Sequence, residues 1–202
     1  MSFTVVIPAR YGSSRFPGKP LALIGKKPMI QHVVERAKEA GADNIIVATD
    51  DERIQKAAQA FGADVVMTSP DCANGTERCA EALDRLGEDH DVVVNLQGDA
   101  PLTPHWFVED LVQGLRNDPM AEVATPVLRC DGRALNGFLE DRKAGRVGGT
   151  TAVFTKDRHA LYFSKEVIPY TSETYADDAE TPVFHHVGVY AYRPSALAAY
   201  PV

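Results

Sequence analysis

The chain has 202 residues, 45% of them hydrophobic, with a formal net charge of -7 and an isoelectric point near 5.3. This composition is typical of one globular domain with a hydrophobic core, and its acidic balance argues against a general binder of nucleic acids or anionic membranes. A small anionic ligand held by a few basic residues stays possible, and the short apolar runs predict a cytoplasmic protein without a signal peptide or membrane span.

The first half of the sequence alternates short apolar runs with helical patterns. Strands are predicted at FTVVIPA, NIIVAT, ADVVMT and DVVVNLQG, and helices between them at PMIQHVVERAKEA, DERIQKAAQAFG and TERCAEALDRLG. Gly41, Gly62 and Gly87 follow the helical patterns, as C-caps do. Asn74 and Glu77 resemble a capping box. The alternation predicts an α/β fold with a mostly parallel sheet covered on both faces.

The pattern changes after about Met120, where the loops become longer. Strands are predicted there at EVATPVL, GTTAVFT, HALYF and FHHVGVYAYR, and a solvated acidic loop at TSETYADDAET. We expect a single domain, 1–202, in which 120–202 forms an extension over the sheet of 1–119. Near the end of the sequence SALAAY begins to look like a helix, and we expect a truncated or partly ordered C-terminus. Cys72, Cys79 and Cys130 form no Cys-x-x-Cys pair and are expected to be buried or incidental thiols.

The segment GSSRFPGKP, directly after the first strand, invites comparison with a phosphate-binding P-loop. A P-loop has four residues between its glycines and a Ser or Thr after its Lys. Here five residues separate Gly12 from Gly18, and Pro20 follows Lys19. The prolines and glycine of KPLALIGKKP also exclude the long helix that a P-loop lysine begins. The segment is therefore not a P-loop.

The same segment still carries the features of an anion site. Arg10, Arg15 and Lys19 place three cations near the carboxyl end of the first strand, where open α/β sheets bind ligands. Backbone N–H groups around Gly12, Ser13 and Ser14 can form an anion-binding nest. A triphosphate would satisfy all of these groups. The alternative is a basic surface loop with scattered salt bridges.

A carboxylate follows the fourth predicted strand, in NLQGDAP. Asp99 lies just past DVVVNLQG, so its side chain is expected to face the same crevice as the basic segment. Mg²⁺ commonly takes one or two carboxylates together with phosphate oxygens and waters. The sequence thus predicts a magnesium site at Asp99, and the alternative is a carboxylate that only forms a turn.

Six segments occur in an order that is more specific than any one of them: IPARYGSSRFPGKPL, VATDDERI, NGTERCAEAL, VVNLQGDAPL, ALYFS with IPY, and HHVGVYAYR. Together they resemble the CMP-Kdo synthetase family, the 3-deoxy-manno-octulosonate cytidylyltransferases of lipopolysaccharide synthesis, from residue 4 to about 195. The resemblance implies a Rossmann-like three-layer αβα fold that uses CTP, Mg²⁺ and an acidic 3-deoxy sugar and releases pyrophosphate. It also implies a homodimer, and the acidic balance of the chain predicts neither nucleic acid nor membrane as a partner.

The resemblance assigns roles to individual residues. It implies nucleotide binding, within 1–119, by Ala9, Arg10, Gly12, Ser13, Arg15, Lys19, Asn74, Gly75, Thr76 and Arg78. It implies sugar binding by Gln97, Lys165, His186 and Tyr190, and metal binding by Asp99, with 120–202 as the sugar-binding and dimerisation extension. Arg10, Lys19 and Asp99 would be the catalytic residues. The sugar's anomeric hydroxyl would attack the α-phosphorus in line, a reaction that needs no nucleophilic side chain.

Three departures from the family pattern lie toward the sugar side. Ala100 replaces a glutamate, Lys165 replaces an arginine, and AGRVGGTTAVF is rich in glycine. Another acidic sugar, 8-amino-substituted or a nonulosonate, stays open, as does a homologue that binds the sugar nucleotide without turnover. His186 can also be read as a packing histidine. The family's second metal aspartate and Glu-Gln pair belong to a C-terminal region outside the matched segments, which leaves two-metal catalysis open.

Overall fold

The computed structural model describes residues 2–12, 16–87 and 90–200. In chain order its strands are β1 (Phe3–Ala9), β2 (Leu23–Ile24), β3 (Lys27–Pro28), β4 (Asn44–Thr49), β5 (Asp64–Met67), β6 (Val92–Leu96), β7 (Val123–Ala124), β8 (Val127–Asp131), β9 (Thr151–Phe154), β10 (Ala160–Ser164), β11 (Glu180–His186) and β12 (Val189–Tyr192). The helices are α1 (Met29–Glu39), α2 (Glu52–Ala60), α3 (Gly75–Leu86), α4 (His105–Asn117), α5 (Gly132–Lys143) and α6 (Pro194–Ala198), and a 3-10 turn covers Lys19–Leu21. The chain divides into two compact units, Met1–Ala124 with Val189–Val202, and Thr125–Gly188.

The first unit is built on a six-stranded sheet in the order β5-β4-β1-β6-β12-β7. The first four of these strands run parallel, and β12 is antiparallel to both β6 and β7. Every residue of β1 and β6 is buried. Central strands of a parallel sheet are apolar throughout because helices cover both faces, which explains the continuous hydrophobic runs in the sequence.

Alternate side chains of these strands point to opposite faces, so each face has its own core. On one face Val6, Val93 and Tyr192 pack with Cys79 of α3 and Leu197 of α6. On the other side, α1 contacts β1 and β4 and also packs against α4. The predicted three-layer αβα arrangement with a mostly parallel sheet is confirmed.

The second unit has an antiparallel sheet in the order β10-β9-β11-β8. Helix α5 packs on it, and Leu135 of α5 shares a small core with Cys130 and Val183. None of the helices in the described ranges is long and apolar enough to span a bilayer.

Two predicted strands are each divided between the units. EVATPVL forms β7 and β8, which are separated by Thr125 and Pro126, and proline has no N–H for a sheet hydrogen bond. FHHVGVYAYR forms the end of β11 and all of β12, separated by Val187 and Gly188. The last strand therefore belongs to the six-stranded sheet of the first unit.

Candidate active site

A cavity of about 540 Å³ opens at the carboxyl edge of the six-stranded sheet. Its walls come from three segments that the sequence analysis singled out: the residues at and after the end of β1, the start of α3, and the residues after β6. Phe16, Lys19 and Pro20 complete the lining. All of these residues belong to the first unit.

A close backbone approach brings the ends of β1 and β6 together. The Gly98 N–H donates to the Pro8 carbonyl at 3.2 Å. A Cβ atom at Gly98 would lie 2.8 Å from that carbonyl oxygen and 3.3 Å from the Cβ of Ala9. Only glycine fits at this position without a shift, and its small size brings Asp99 to the same cavity as the residues after β1.

Lys19 and Asp99 meet directly in this cavity. The Lys19 Nζ atom lies 2.7 Å from Asp99 Oδ2. The two side chains are 35% and 51% exposed, so water screens the pair and its net contribution to folding is at most about 1 kcal/mol. Phosphates and a cation can therefore replace the two partners at little energetic cost.

Among the other residues predicted to bind the nucleotide in and next to this segment, the structure describes Arg10 and Gly12. Arg10 is exposed, lines the cavity, and makes no ion pair within the described ranges. Gly12 has open space where a side chain would be. Ser13, Ser14 and Arg15 lie outside the described residues.

The start of α3 forms another wall of the cavity. Asn74 is the N-cap, and its Oδ1 accepts the N–H groups of Thr76 at 2.9 Å and Glu77 at 3.0 Å. The Glu77 carboxylate in turn accepts the Ala73 N–H and the Asn74 amide N–H. The predicted cap is present, although Glu77 bonds one residue before the N-cap. A helix N-terminus at the cavity, with Gly75 as its first residue, favours an anionic ligand.

Arg78 lines the cavity, but its guanidinium group already has protein partners. It is 3% exposed, donates to Thr68 Oγ1 at 2.5 Å and to the Ser69 carbonyl at 3.3 Å. It also lies 3.3 Å from Asp50 Oδ1, a buried atom that accepts no hydrogen bond from the described part of the chain. Its charge therefore compensates that of Asp50, and its hydrogen bonds connect α3 to the segment after β5.

Gln97 is oriented by a buried neighbour. Its Nε2 donates to Asn95 Oδ1 at 2.8 Å, and Asn95, which is fully buried in β6, approaches Thr76 Oγ1 at 3.5 Å. The amide of Gln97 lies against Gly75, where an added Cβ would be 3.2 Å from Oε1. Gln97, Thr76 and the N-terminus of α3 thus form one connected wall.

Phe16 and Cys72 are among the residues lining the cavity that sequence reasoning missed. The Cys72 thiol donates to Glu81 Oε2 at 3.0 Å, and burial together with this bond raises the pKa of the thiol to about 11. At neutral pH Cys72 is an uncharged wall rather than a nucleophile. No spacing signal in the sequence marked either residue.

The remaining predicted sugar-binding residues are distributed over both units. Lys165 and His186 belong to the second unit, and Tyr190 lies in β12 of the first. His186 Nε2 lies 2.8 Å from Thr125 Oγ1, and its ring contacts Phe163. Burial, then the nearby His185 and Lys165, lowers the pKa of His186, so the ring is neutral at pH 7. Sugar contact by His186 stays a prediction.

The donor set at Asp99 suits a cation that shares its coordination with a substrate. Within 2–12, 16–87 and 90–200, no three or more His, Cys, Asp or Glu side chains cluster as a metal site. A single half-exposed carboxylate in a cavity with a helix N-terminus and two cations fits Mg²⁺ that takes its other ligands from water and phosphates.

Comparison with known proteins gives a consistent result. The cytidylyltransferase family model matches residues 4–200. The chain is 46% identical to a 3-deoxy-manno-octulosonate cytidylyltransferase of Maricaulis maris (98% of this chain, 75% of the relative). It is 48% identical to an 8-amino-3,8-dideoxy-manno-octulosonate cytidylyltransferase of Shewanella sp. strain ANA-3 (100% and 80%). A solved structure of CMP:2-keto-3-deoxy-manno-octonic acid synthetase in complex with CTP superposes with a TM-score of 0.84 at 42% identity, covering 99% of this chain and 77% of that one.

Proposed function

Because the chain belongs to the cytidylyltransferase family, we propose that it transfers the CMP group of CTP to the anomeric hydroxyl of 3-deoxy-manno-octulosonate and releases pyrophosphate. The observation that carries this proposal is the cavity at the carboxyl edge of the parallel sheet, where Lys19 and Asp99 lie 2.7 Å apart. Lys19 supplies a cation that can bind phosphate, and the adjacent Asp99 supplies a carboxylate that can bind a metal ion.

In the proposed reaction one bond forms and one breaks at the α-phosphorus of CTP. The anomeric oxygen of the sugar bonds to that phosphorus, the bond to the bridging oxygen of pyrophosphate breaks, and the hydroxyl proton passes to solvent. Lys19 and Arg10, which line the cavity, bind the outer phosphates and offset the charge of the leaving group. The N-terminus of α3 adds its N–H groups to the binding of the nucleotide.

We assign the metal site to Asp99. Mg²⁺, when bound, would neutralise charge on the phosphate oxygens of CTP. The carboxylate of Asp99 would exchange its Lys19 partner for the ion, and Lys19 would turn to the phosphates. Residues 13–15, including Ser13 and Arg15, stay predictions for the nucleotide site.

Gln97 and Tyr190 of the first unit, and Lys165 and His186 of the second, stay predictions for sugar binding. A neutral His186 offers a donor and an acceptor to sugar hydroxyls, and the Lys165 ammonium offers a charge to a sugar carboxylate. The second candidate substrate is the 8-amino sugar, because a relative at 48% identity is named for it.

We also propose a homodimer and a cytoplasmic location. Several large apolar side chains of the second unit are exposed, among them Leu161 and Tyr162 at 66% and 63%. They lie on β10, an edge strand of the four-stranded sheet, and exposed apolar residues on an edge strand are typical of a surface that a partner covers. CTP is available in the cytoplasm, which suits the proposed chemistry.

Pyrophosphate release across a matrix of substrates tests the proposal. CTP, UTP, ATP and GTP are each combined with 3-deoxy-manno-octulosonate and its 8-amino analogue, with and without Mg²⁺. Release is expected only with CTP, in the presence of Mg²⁺ and one of the two sugars. Binding of CTP by calorimetry without any release would contradict turnover and favour the homologue that only binds.

Substitution of Asp99 tests the metal site. Asp99→Asn keeps the size of the side chain but removes the charge that Mg²⁺ requires, so pyrophosphate release is expected to fall below detection. The matched control is Asp64→Asn, an exposed aspartate at the start of β5, which should retain the parent rate. An active Asp99→Asn variant would remove Asp99 from the metal site.

A further inference from the structure

A tyrosine lies at the base of the basic segment, outside the lining of the cavity. The Gly18 N–H donates to the Tyr11 carbonyl at 2.8 Å, which joins the two ends of 11–18. Gly18 has φ 71°, and a Cβ on it would lie 2.9 Å from Tyr11 Cε2. The ring of Tyr11 therefore packs against a backbone position that only glycine can occupy.

The other contact of this ring is an arginine from a different part of the chain. The Arg53 Cζ atom lies 3.3 Å from the centroid of the Tyr11 ring, at the distance of a stacked guanidinium group. Arg53 belongs to the first turn of α2. The stack thus joins α2 to the segment that follows β1.

Asp51 fixes the direction of the Arg53 side chain. Its two carboxylate oxygens accept from Arg53 Nε at 3.0 Å and from Nη2 at 2.6 Å, and Oδ1 also accepts the Arg53 N–H at 2.9 Å as the N-cap of α2. The Asp51 N–H donates to Thr49 Oγ1, and Thr49 is a buried residue of β4 that pairs with Ala9 of β1. The guanidinium group is therefore held to the central sheet.

We propose that Tyr11, Gly18, Asp51 and Arg53 form a clamp, with Arg53 as a positioning residue that sets the place of Lys19 in the active site. Lys19 directly follows Gly18, so the position of Gly18 decides where the Lys19 ammonium can reach. The inference rests on the proposed function, because Lys19 acts there on the outer phosphates of CTP. Neither Tyr11 nor Arg53 lines the cavity, so their effect passes through the backbone.

Exposure separates this role from a structural one. The Arg53 side chain is 59% exposed, and a contact that open to water adds little to the free energy of unfolding. Asp51 caps α2 through a bond to the backbone of Arg53, which any residue at position 53 retains. Loss of the Arg53 side chain should therefore change nucleotide binding more than the melting temperature.

The first test is Arg53→Ala, read by calorimetry with CTP and with CMP. CTP affinity is expected to fall by roughly 3- to 10-fold, and CMP affinity to stay within about 2-fold, because CMP lacks the outer phosphates that Lys19 would bind. The control on the same helix is Lys56→Ala, which removes an exposed ion pair with Glu52 and should change neither affinity.

A second measurement reads the segment without any nucleotide. Hydrogen exchange at the Gly18 amide is expected to accelerate in Arg53→Ala and in Tyr11→Leu. Both variants remove the stack of Arg53 on the Tyr11 ring, next to the hydrogen bond from the Gly18 N–H to the Tyr11 carbonyl. Tyr11→Phe keeps the ring and should restore most of the protection. Unchanged exchange in both disrupting variants would overturn the clamp.

A double-mutant cycle then tests whether the clamp acts through Lys19. Lys19→Ala is expected to weaken CTP binding far more than CMP binding, and adding Arg53→Ala should then cause no further loss. Fully additive losses would overturn action through Lys19. Failure of the parent protein to release pyrophosphate would overturn the proposed function alone, because the exchange of the Gly18 amide reports on the clamp independently.

Discussion

At the scale of single residues, Gly98 is a position in the active site with no room for a larger side chain. An added Cβ would meet the Pro8 carbonyl at 2.8 Å and Ile30 Cδ1 at 3.1 Å, and backbone cannot move as a flexible side chain can. Gly98→Ala is expected to push apart the ends of β1 and β6, which costs about 1–3 kcal/mol in free energy of unfolding and displaces Asp99 from Lys19. Urea unfolding and pyrophosphate release measure the two effects.

Gly114 provides the control, because it has open space around it. It lies inside α4 with nothing within 4 Å of an added Cβ. Gly114→Ala should raise the free energy of unfolding by about 0.5–1 kcal/mol, since alanine favours helix, and should leave the rate unchanged. If Gly98→Ala also raises the free energy of unfolding, close packing does not exclude a side chain at position 98.

Sequence reasoning reached some residues of the cavity more easily than others. Lys19 and Asp99 each follow a strand predicted from its apolar run, and the rule that parallel strands end at one edge was enough to bring them together. The stack of Arg53 on Tyr11 had no such signal. It depends on side-chain directions across a loop and a helix, which no periodicity encodes.

At the scale of elements, the N-terminus of α3 combines a structural task with a proposed binding task. Asn74→Ala removes the two hydrogen bonds of the cap and is expected to cost about 0.5–2 kcal/mol in free energy of unfolding. Asn74→Asp keeps the cap but adds a negative charge where the phosphates are proposed to bind. It also removes the side-chain N–H that Glu77 accepts, so it should lower the melting temperature as well as weaken CTP binding, as measured by thermal unfolding and calorimetry.

The cap of α5 separates these two effects. Asp131 accepts the Ala134 N–H at 2.8 Å and caps a helix of the second unit that does not line the cavity. Asp131→Ala should cost a similar free energy of unfolding and leave CTP affinity at the parent value. A loss of CTP affinity as large as that of Asn74→Asp would show that the charge at Asn74 does not act locally.

Most elements of the first half could be predicted because each is determined locally, although α4 and the short strands β2 and β3 were not predicted. FTVVIPA and NIIVAT coincide with β1 and β4, since a strand covered on both faces must be apolar along its whole length. In the second half, the strand runs are visible but their partners are not. Nothing in FHHVGVYAYR says that β12 pairs with β6 while β11 pairs with β8, because strand pairing is a non-local property.

At the scale of the whole molecule, the formal charge of -7 means that attraction of an anionic nucleotide must come from the local arrangement of cations.

The pH dependence of stability also has a local origin, in two neighbouring histidines of the second unit. Burial, then Lys165, lowers the pKa of His185, and burial, then His185 and Lys165, lowers that of His186. His185 packs against Phe138, and His186 against Phe163 and Thr125. The folded second unit therefore favours the neutral form of both rings.

The pH dependence of unfolding follows from the direction of these shifts. Unfolded histidines titrate near 6.5, so below that pH the unfolded chain binds more protons than the folded one, and the free energy of unfolding falls. The stabilisation is complete above pH 6.5 and is lost as the pH falls through the lowered pKa values. Carboxylates with lowered pKa values, such as Glu35 and Glu81, lose their contribution only below their ordinary value of 4.5, so the two windows separate.

Urea unfolding between about pH 7.5 and pH 5.5 isolates the histidine window. The parent protein is expected to lose stability over this range, and the double variant with His185→Gln and His186→Gln should lose markedly less, because glutamine does not take up a proton. An equal slope in the double variant would contradict the assignment, since the protons would then be taken up elsewhere in the chain.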